Sequence, residues 1–163
     1  MRGLRKGPLL AAVALPVLFA VIGTALVGGS GLEWYARLAK PWFLVPLRVF
    51  YLVGALYYML AAVVLYRVLA RIDDTRGRTI SFGLTMGVLL LNELWNYGFF
   101  GLRSTLAGFL GIAVFLALLT ALVAALLRYE RLSAGLLVPY YVWLLYDLAW
   151  TYELWRLNGA SAS

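Results

Sequence analysis

Five stretches of this 163-residue chain are each long and apolar enough to cross a bilayer, and only short polar interruptions separate them. A hydrocarbon core roughly 30 Å thick takes about 20 helical residues to span, whereas a barrel strand needs about 10. Backbone groups in lipid must bond internally, so runs of this length read as helices. The spacing predicts spans over about 8–28, 45–69, 79–100, 105–127 and 134–157. The expectation is an all-α membrane protein, a single domain over 1–163 built as a five-transmembrane-helix bundle.

The interruptions carry their own signals. Gly28-Gly29-Ser30-Gly31 closes the first run, and a loop from Glu33 to Leu44 follows with Trp34, Tyr35, Lys40, Pro41 and Trp42, a mixture suited to the membrane interface. The stretch from Arg71 to Arg78 is a polar turn, as are Gly101–Ser104 and Arg128–Ser133, and the tail Asn158–Ser163 is expected to fray. Arg2, Arg5 and Lys6 before an apolar run would also open a signal peptide. The run reaches a full membrane thickness, longer than a signal core, so it is expected to remain as span one.

Composition removes whole classes of function. Hydrophobic residues make up 64% and charged residues 13%, against roughly 25% charged in soluble domains, which leaves no room for a separate soluble domain. The absence of cysteine excludes disulfides, iron–sulfur clusters and thiolate chemistry. The absence of histidine removes the commonest metal ligand, the usual haem axial ligand and the usual neutral-pH proton shuttle. A net charge of +7 is scattered between apolar runs, where lipid head groups rather than nucleic acid are the expected partner. Arg2, Arg5, Lys6, Arg67, Arg71, Arg76, Arg78, Arg128 and Arg131 fall on one side, against Arg37, Lys40, Arg48, Arg103 and Arg156 on the other. That bias puts the amino terminus in the cytoplasm.

Carboxylates inside membrane-length runs are costly and mark candidate sites. Tyr140, Trp143, Asp147 and Trp150 follow spacings of three and four and share one face of span five. Asn92, Trp95, Asn96 and Phe99 make a similar stripe in span three, with Glu93 about 100° away. Such faces point into the bundle. They either line a ligand or bond neighbouring helices, and Glu93 could instead pair with Arg103 or Arg48. No nucleophile, metal set or phosphate loop accompanies the carboxylates, so no enzyme is expected. Leu148–Arg156 fits a weak sterol-contact pattern through Tyr152 and Arg156.

Taken in chain order, Trp34-Tyr35, Leu38 and Lys40-Pro41, then Leu91-Asn92 with Trp95 and Phe99-Phe100-Gly101-Leu102 with Ser104, form a recognisable series. It ends with Leu136-Leu137, Pro139-Tyr140, Trp143 and Trp155-Arg156-Leu157-Asn158. The chain resembles the TspO/MBR family of tryptophan-rich sensory and translocator proteins over roughly Trp34 to Asn158. The resemblance implies a five-helix bundle, often dimeric, with a pocket beneath the first loop for porphyrins, sterols or benzodiazepine-type ligands. It implies a pocket of Trp34, Tyr35, Asn92, Trp95, Phe99, Phe100, Pro139, Tyr140 and Trp143, joined by Phe50 or Tyr51 from span two, and places the sterol motif at Tyr152 and Arg156. Three positions depart from the family pattern. Its proline-rich stretch is altered to Pro41-Trp42-Phe43-Leu44-Val45-Pro46, a small residue is replaced by Asp147, and an asparagine by Thr151. Asp147 would oppose a dianionic porphyrin.

The expected function is therefore binding of an apolar, planar or polyene ligand (tetrapyrrole, carotenoid or sterol-like lipid), with Asp147 as a polar anchor, in a bacterial cytoplasmic membrane. The alternative is an accessory subunit of a larger, pigment-bearing membrane complex with an altered pocket. A homodimer is compatible with either.

Overall fold

The computed structural model describes residues 5–159; Arg2 and the tail residues 160–163 lie outside the described residues. Five helices follow one another: α1 Lys6–Arg37, α2 Leu47–Arg71, α3 Thr75–Asn96, α4 Thr105–Tyr129 and α5 Arg131–Asn158, with a π-helical turn, Tyr97–Gly101, continuing α3. Among the described residues there is no strand.

Helices α1, α2, α4 and α5 are long and apolar enough to cross a membrane. Helix α3 is more polar, and its buried stripe explains why. Gly77, Ser81, Thr85, Val88, Leu89 and Glu93 recur at three- and four-residue spacing, so its polar groups face the bundle. The helices close a ring in which α1 packs on α2, α2 on α5, α5 on α4, α4 on α3 and α3 on α1. At the end holding the 71–75 and 129–131 turns the ring is filled by Val64, Val68, Leu119, Leu122, Leu126 and Leu137, all buried. The opposite end is not filled in this way, and the cavity described below lies there.

Helix starts are fixed by side chains that accept the first free amides. Asp74 accepts from the Gly77 amide at 2.6 Å, Ser104 from Ala107 at 3.1 Å and Glu130 from Ser133 at 2.7 Å. Glu130 also accepts two hydrogen bonds from the Arg67 guanidinium, at 3.0 and 2.5 Å, which ties α2 to the α4–α5 turn. Burial pushes the Glu130 carboxyl up, but the hydrogen bonds from Arg67 and Ser133 outweigh it and hold it at about 2. A carboxyl held below its usual value near 4.5 stabilises the fold above that value and loses the contribution as the pH falls towards 2. Thermal melts in detergent should therefore show Glu130→Gln less stable than the parent at pH 7, with the difference narrowing steadily as the pH falls from about 4.5 towards 2. A gap that stays constant over this range would mean that the pair does not carry the effect.

The first loop differs from its sequence expectation. The chain does not leave the helix at the glycine cluster. Gly28 alone takes a left-handed conformation (φ 55°, ψ 167°), and the helix resumes to Arg37. A residue without Cβ adopts that conformation cheaply, so the cluster acts as a kink instead of an end. Trp34 and Tyr35 consequently stand on the kinked end of α1, and the connection shortens to residues 38–46. Nor is Asn158 frayed. Its amide accepts from the Ala39 backbone at 3.0 Å and donates back to the Ala39 carbonyl at 2.9 Å, fastening that connection to the end of α5.

Candidate functional site

Beneath the kinked end of α1 lies a cavity of about 200 Å³, walled by all five helices and the π turn. Its aromatic wall is organised around Phe99, which is fully buried. Trp95 stacks on Phe99 at 5.3 Å between ring centroids, Trp34 meets it edge-on at 5.3 Å, Phe100 at 4.7 Å and Trp150 at 5.9 Å. The π turn, in which the Leu102 amide reaches the Tyr97 carbonyl at 2.8 Å, inserts an extra residue and brings Phe99 and Phe100 in succession against α1. Trp95 is fixed by donating to the Gly108 carbonyl at 2.9 Å. Phe50 of α2 sits edge-on between Trp143 at 5.6 Å and Trp150 at 5.4 Å. Deeper, Tyr57 and Tyr140 close the floor with ring centroids 5.0 Å apart.

Two carboxyl groups face this region from opposite walls. Asp147 lines the cavity and is 8% exposed; it accepts from the Trp150 indole at 2.7 Å. It has no ion pair among the described residues, and the cavity lining contains neither lysine nor arginine. Glu93 is 3% exposed and lies behind the wall. It accepts from the Tyr58 hydroxyl at 2.6 Å, from Asn92 at 3.0 Å and from Asn96 at 3.1 Å. Neither Arg103 nor Arg48 reaches it in these contacts, so its role is to hold Tyr58, Asn92 and Asn96 in place. Gly23 of α1 abuts this carboxyl so closely that a Cβ there would overlap it.

The structure gathers most of the residues singled out from sequence. Tyr35, Phe50, Tyr51, Asn92, Trp95, Phe99, Phe100, Tyr140, Trp143 and Asp147 all line the cavity. Trp34 does not; it backs the wall through Phe99. Pro139 is exposed on the outer face of α5, since it lies one position, about 100°, from the inward Tyr140. Tyr152 is 45% exposed and packs on Phe109, while Arg156 bonds Glu153 at 2.8 and 2.5 Å, so neither touches the cavity. The Thr151 hydroxyl turns back to the Asp147 carbonyl at 2.6 Å and is likewise outside it. Of the lining residues that sequence did not assign to the pocket, Tyr57 and Tyr58 both lie about two turns beyond Phe50 on α2, and Trp150 one turn beyond Asp147. Helical periodicity from those neighbours was the available signal.

Five helices, four of them long and apolar enough to cross a membrane, closed round an aromatic cavity are the architecture of an integral membrane protein. The TspO/MBR family matches residues 12–156. The human translocator protein is 31% identical over 144 residues, covering 88% of this chain and 85% of its own length. The tryptophan-rich protein TspO of Archaeoglobus fulgidus is 30% identical over 153 residues, covering 93% and 97%. Protein CrtK of Rhodobacter capsulatus is 26% identical over 148 residues, covering 86% and 92%. The chain belongs to the TspO/MBR family.

Proposed function

We propose that this protein binds an apolar planar or polyene molecule, of the tetrapyrrole, carotenoid or sterol-like lipid class, in the cavity under the kinked end of α1. The reading places it in a bacterial cytoplasmic membrane with its amino terminus in the cytoplasm, acting in sensing or transport without chemistry of its own. The observation that carries it is the wall itself. Trp95, Phe99, Phe50, Trp143 and Trp150 present flat apolar faces, while Asn92 and Asp147 supply the few polar groups that orient a ligand. At about 200 Å³ the cavity is smaller than the roughly 300–1,000 Å³ of sites that enclose a drug-sized ligand. A macrocycle would therefore keep part of its surface in the mouth. Asp147 repels a ligand acid when ionised and can donate a hydrogen bond when protonated, so the site favours neutral or cationic ligands over free acids.

The test is equilibrium binding of protoporphyrin IX dimethyl ester to protein in lipid nanodiscs. Trp143→Ala should weaken binding at least tenfold, and Pro139→Ala, on the outer face, by less than twofold. Equal effects of the two variants would remove the cavity from the account. An accessory role in a larger complex would then be the better reading of the same bundle.

A further inference from the structure

The two sides of the cavity are closed to different degrees, and the difference concerns how a ligand gets in. On the loop side, Leu38, Phe43 and Leu44 pack on the buried cluster of Tyr35, Phe99 and Trp150. Ala39 is latched to Asn158 through two hydrogen bonds, and the Val45 amide donates to the Tyr146 hydroxyl at 2.9 Å. The bilayer side lacks such closure. Near the start of α1 the two helices meet, with the Arg5 amide 3.4 Å from the Tyr66 hydroxyl. Further along, α1 also packs closely on α3 and the π turn: Gly23 abuts Glu93, and Gly31 is so close to Phe100 that a Cβ would come within 3.0 Å. α1 packs on α2 as well, and the flank between α1 and the first turns of α2 carries the exposed part of the cavity lining.

That flank is where the cavity reaches the surface. Among the described residues lining it, only Leu47 and Tyr51 are exposed, at 39% and 59%, and both belong to the first turns of α2. Val27 and Leu32 of α1 are partly exposed and also line the cavity. Gly54, two turns into α2, lines the same opening, and a Cβ added there would meet nothing within 4 Å. It lies about 10 Å along the helix from Leu47, which puts the slot at the depth of lipid chains and not of head groups alone.

We infer that the cavity is loaded sideways from the bilayer, through a slot between α1 and the first turns of α2 gated by Tyr51 and Gly54, so that its ligand is a molecule dissolved in the membrane and not one captured from water. This rests on the reading of the cavity as a ligand site, but the test does not require that ligand. Protein in nanodiscs is photolysed with a small uncharged aryl diazirine dissolved in the bilayer, or with a charged, water-soluble one, and adducts are mapped by mass spectrometry. Ile112 and Phe115 report from inside, each 2% exposed and lining the cavity, and Val114, 56% exposed, reports from the lipid face of the same helix. The bilayer reagent should label all three. Gly54→Trp should cut labelling of Ile112 and Phe115 at least fivefold while leaving Val114 unchanged. Asn158→Ala, which undoes the loop latch, should change none of them. The inference is overturned if Gly54→Trp has no effect on the two interior residues, if only the water-soluble reagent reaches them, if neither reagent does, or if Asn158→Ala raises their labelling several-fold. Should the labelling pattern hold while no tetrapyrrole or polyene binds, the slot stands and the ligand class proposed above fails.

Discussion

Replacing Asp147 by asparagine should erase a preference for uncharged ligands. In the parent protein at pH 7.5, protoporphyrin IX dimethyl ester is expected to bind at least tenfold more tightly than the free diacid. In Asp147→Asn the two should fall within about threefold of each other. The cause is electrostatic: among the described residues Asp147 is the one carboxyl lining the cavity, it accepts from the Trp150 indole, and no lysine or arginine is in the lining. At an effective dielectric of about 20, two like charges 8 Å apart repel by about 2 kcal/mol, more than the 1.4 kcal/mol that corresponds to tenfold in affinity. Asparagine keeps the shape and an oxygen for the Trp150 indole, so the wall should stay in place. An unchanged ester-to-acid ratio in the variant would show that Asp147 does not set the charge preference.

Phe99→Ala should have the largest effect on stability of any single change to the wall. Phe99 is fully buried where α1, α4, α5 and the π turn converge, and it touches five other rings. Truncating a buried phenylalanine typically destabilises by about 3–5 kcal/mol. In lipid, part of that figure is lost because there is less hydrophobic gain, but the packing loss remains. A fall of at least 10 °C in the detergent melting temperature is expected, together with loss of binding, because Trp34 and Trp95 would lose the surface that orients them. Gly108 offers an independent check: a Cβ there would run into the Phe99 ring, so Gly108→Val should destabilise through overpacking at the same place. A Phe99→Ala protein that melts within 2 °C of the parent would show that the aromatic cluster is not what holds this end together.

How much of this was readable beforehand follows from what each signal measures. The number and order of the helices were legible: for α1, α2, α4 and α5 apolar run length is a direct record of bilayer thickness, while the more polar α3 is delimited by the turns at its ends. The inward face of α5 was legible too, since Tyr140, Trp143, Asp147 and Trp150 obey helical spacing and all four line the cavity. Pro139 shows the limit of carrying over a motif: it stands next to Tyr140 in sequence but about 100° round the helix, where it is exposed. Trp34 shows another, because aromaticity alone does not say whether a ring forms the wall or supports it. The course of α1 was hidden for a local reason. A run of glycines and serine can end a helix or merely bend it, and local sequence does not carry tertiary contacts such as the close approach of Gly31 to Phe100. The cross-helix partner of Glu93 was equally out of reach. Tyr58 lies 35 residues away, and sequence does not say which of two neighbouring tyrosines on α2 turns towards α3.

The most direct test of the central claim is to purify the protein gently from its native membrane and record its absorption spectrum and its size together. A monomer- or dimer-sized particle carrying a tetrapyrrole or polyene spectrum is expected, in roughly stoichiometric amount and lost in Trp143→Ala. A colourless protein that elutes only within a large assembly would contradict the ligand-binding account and make this chain an accessory subunit.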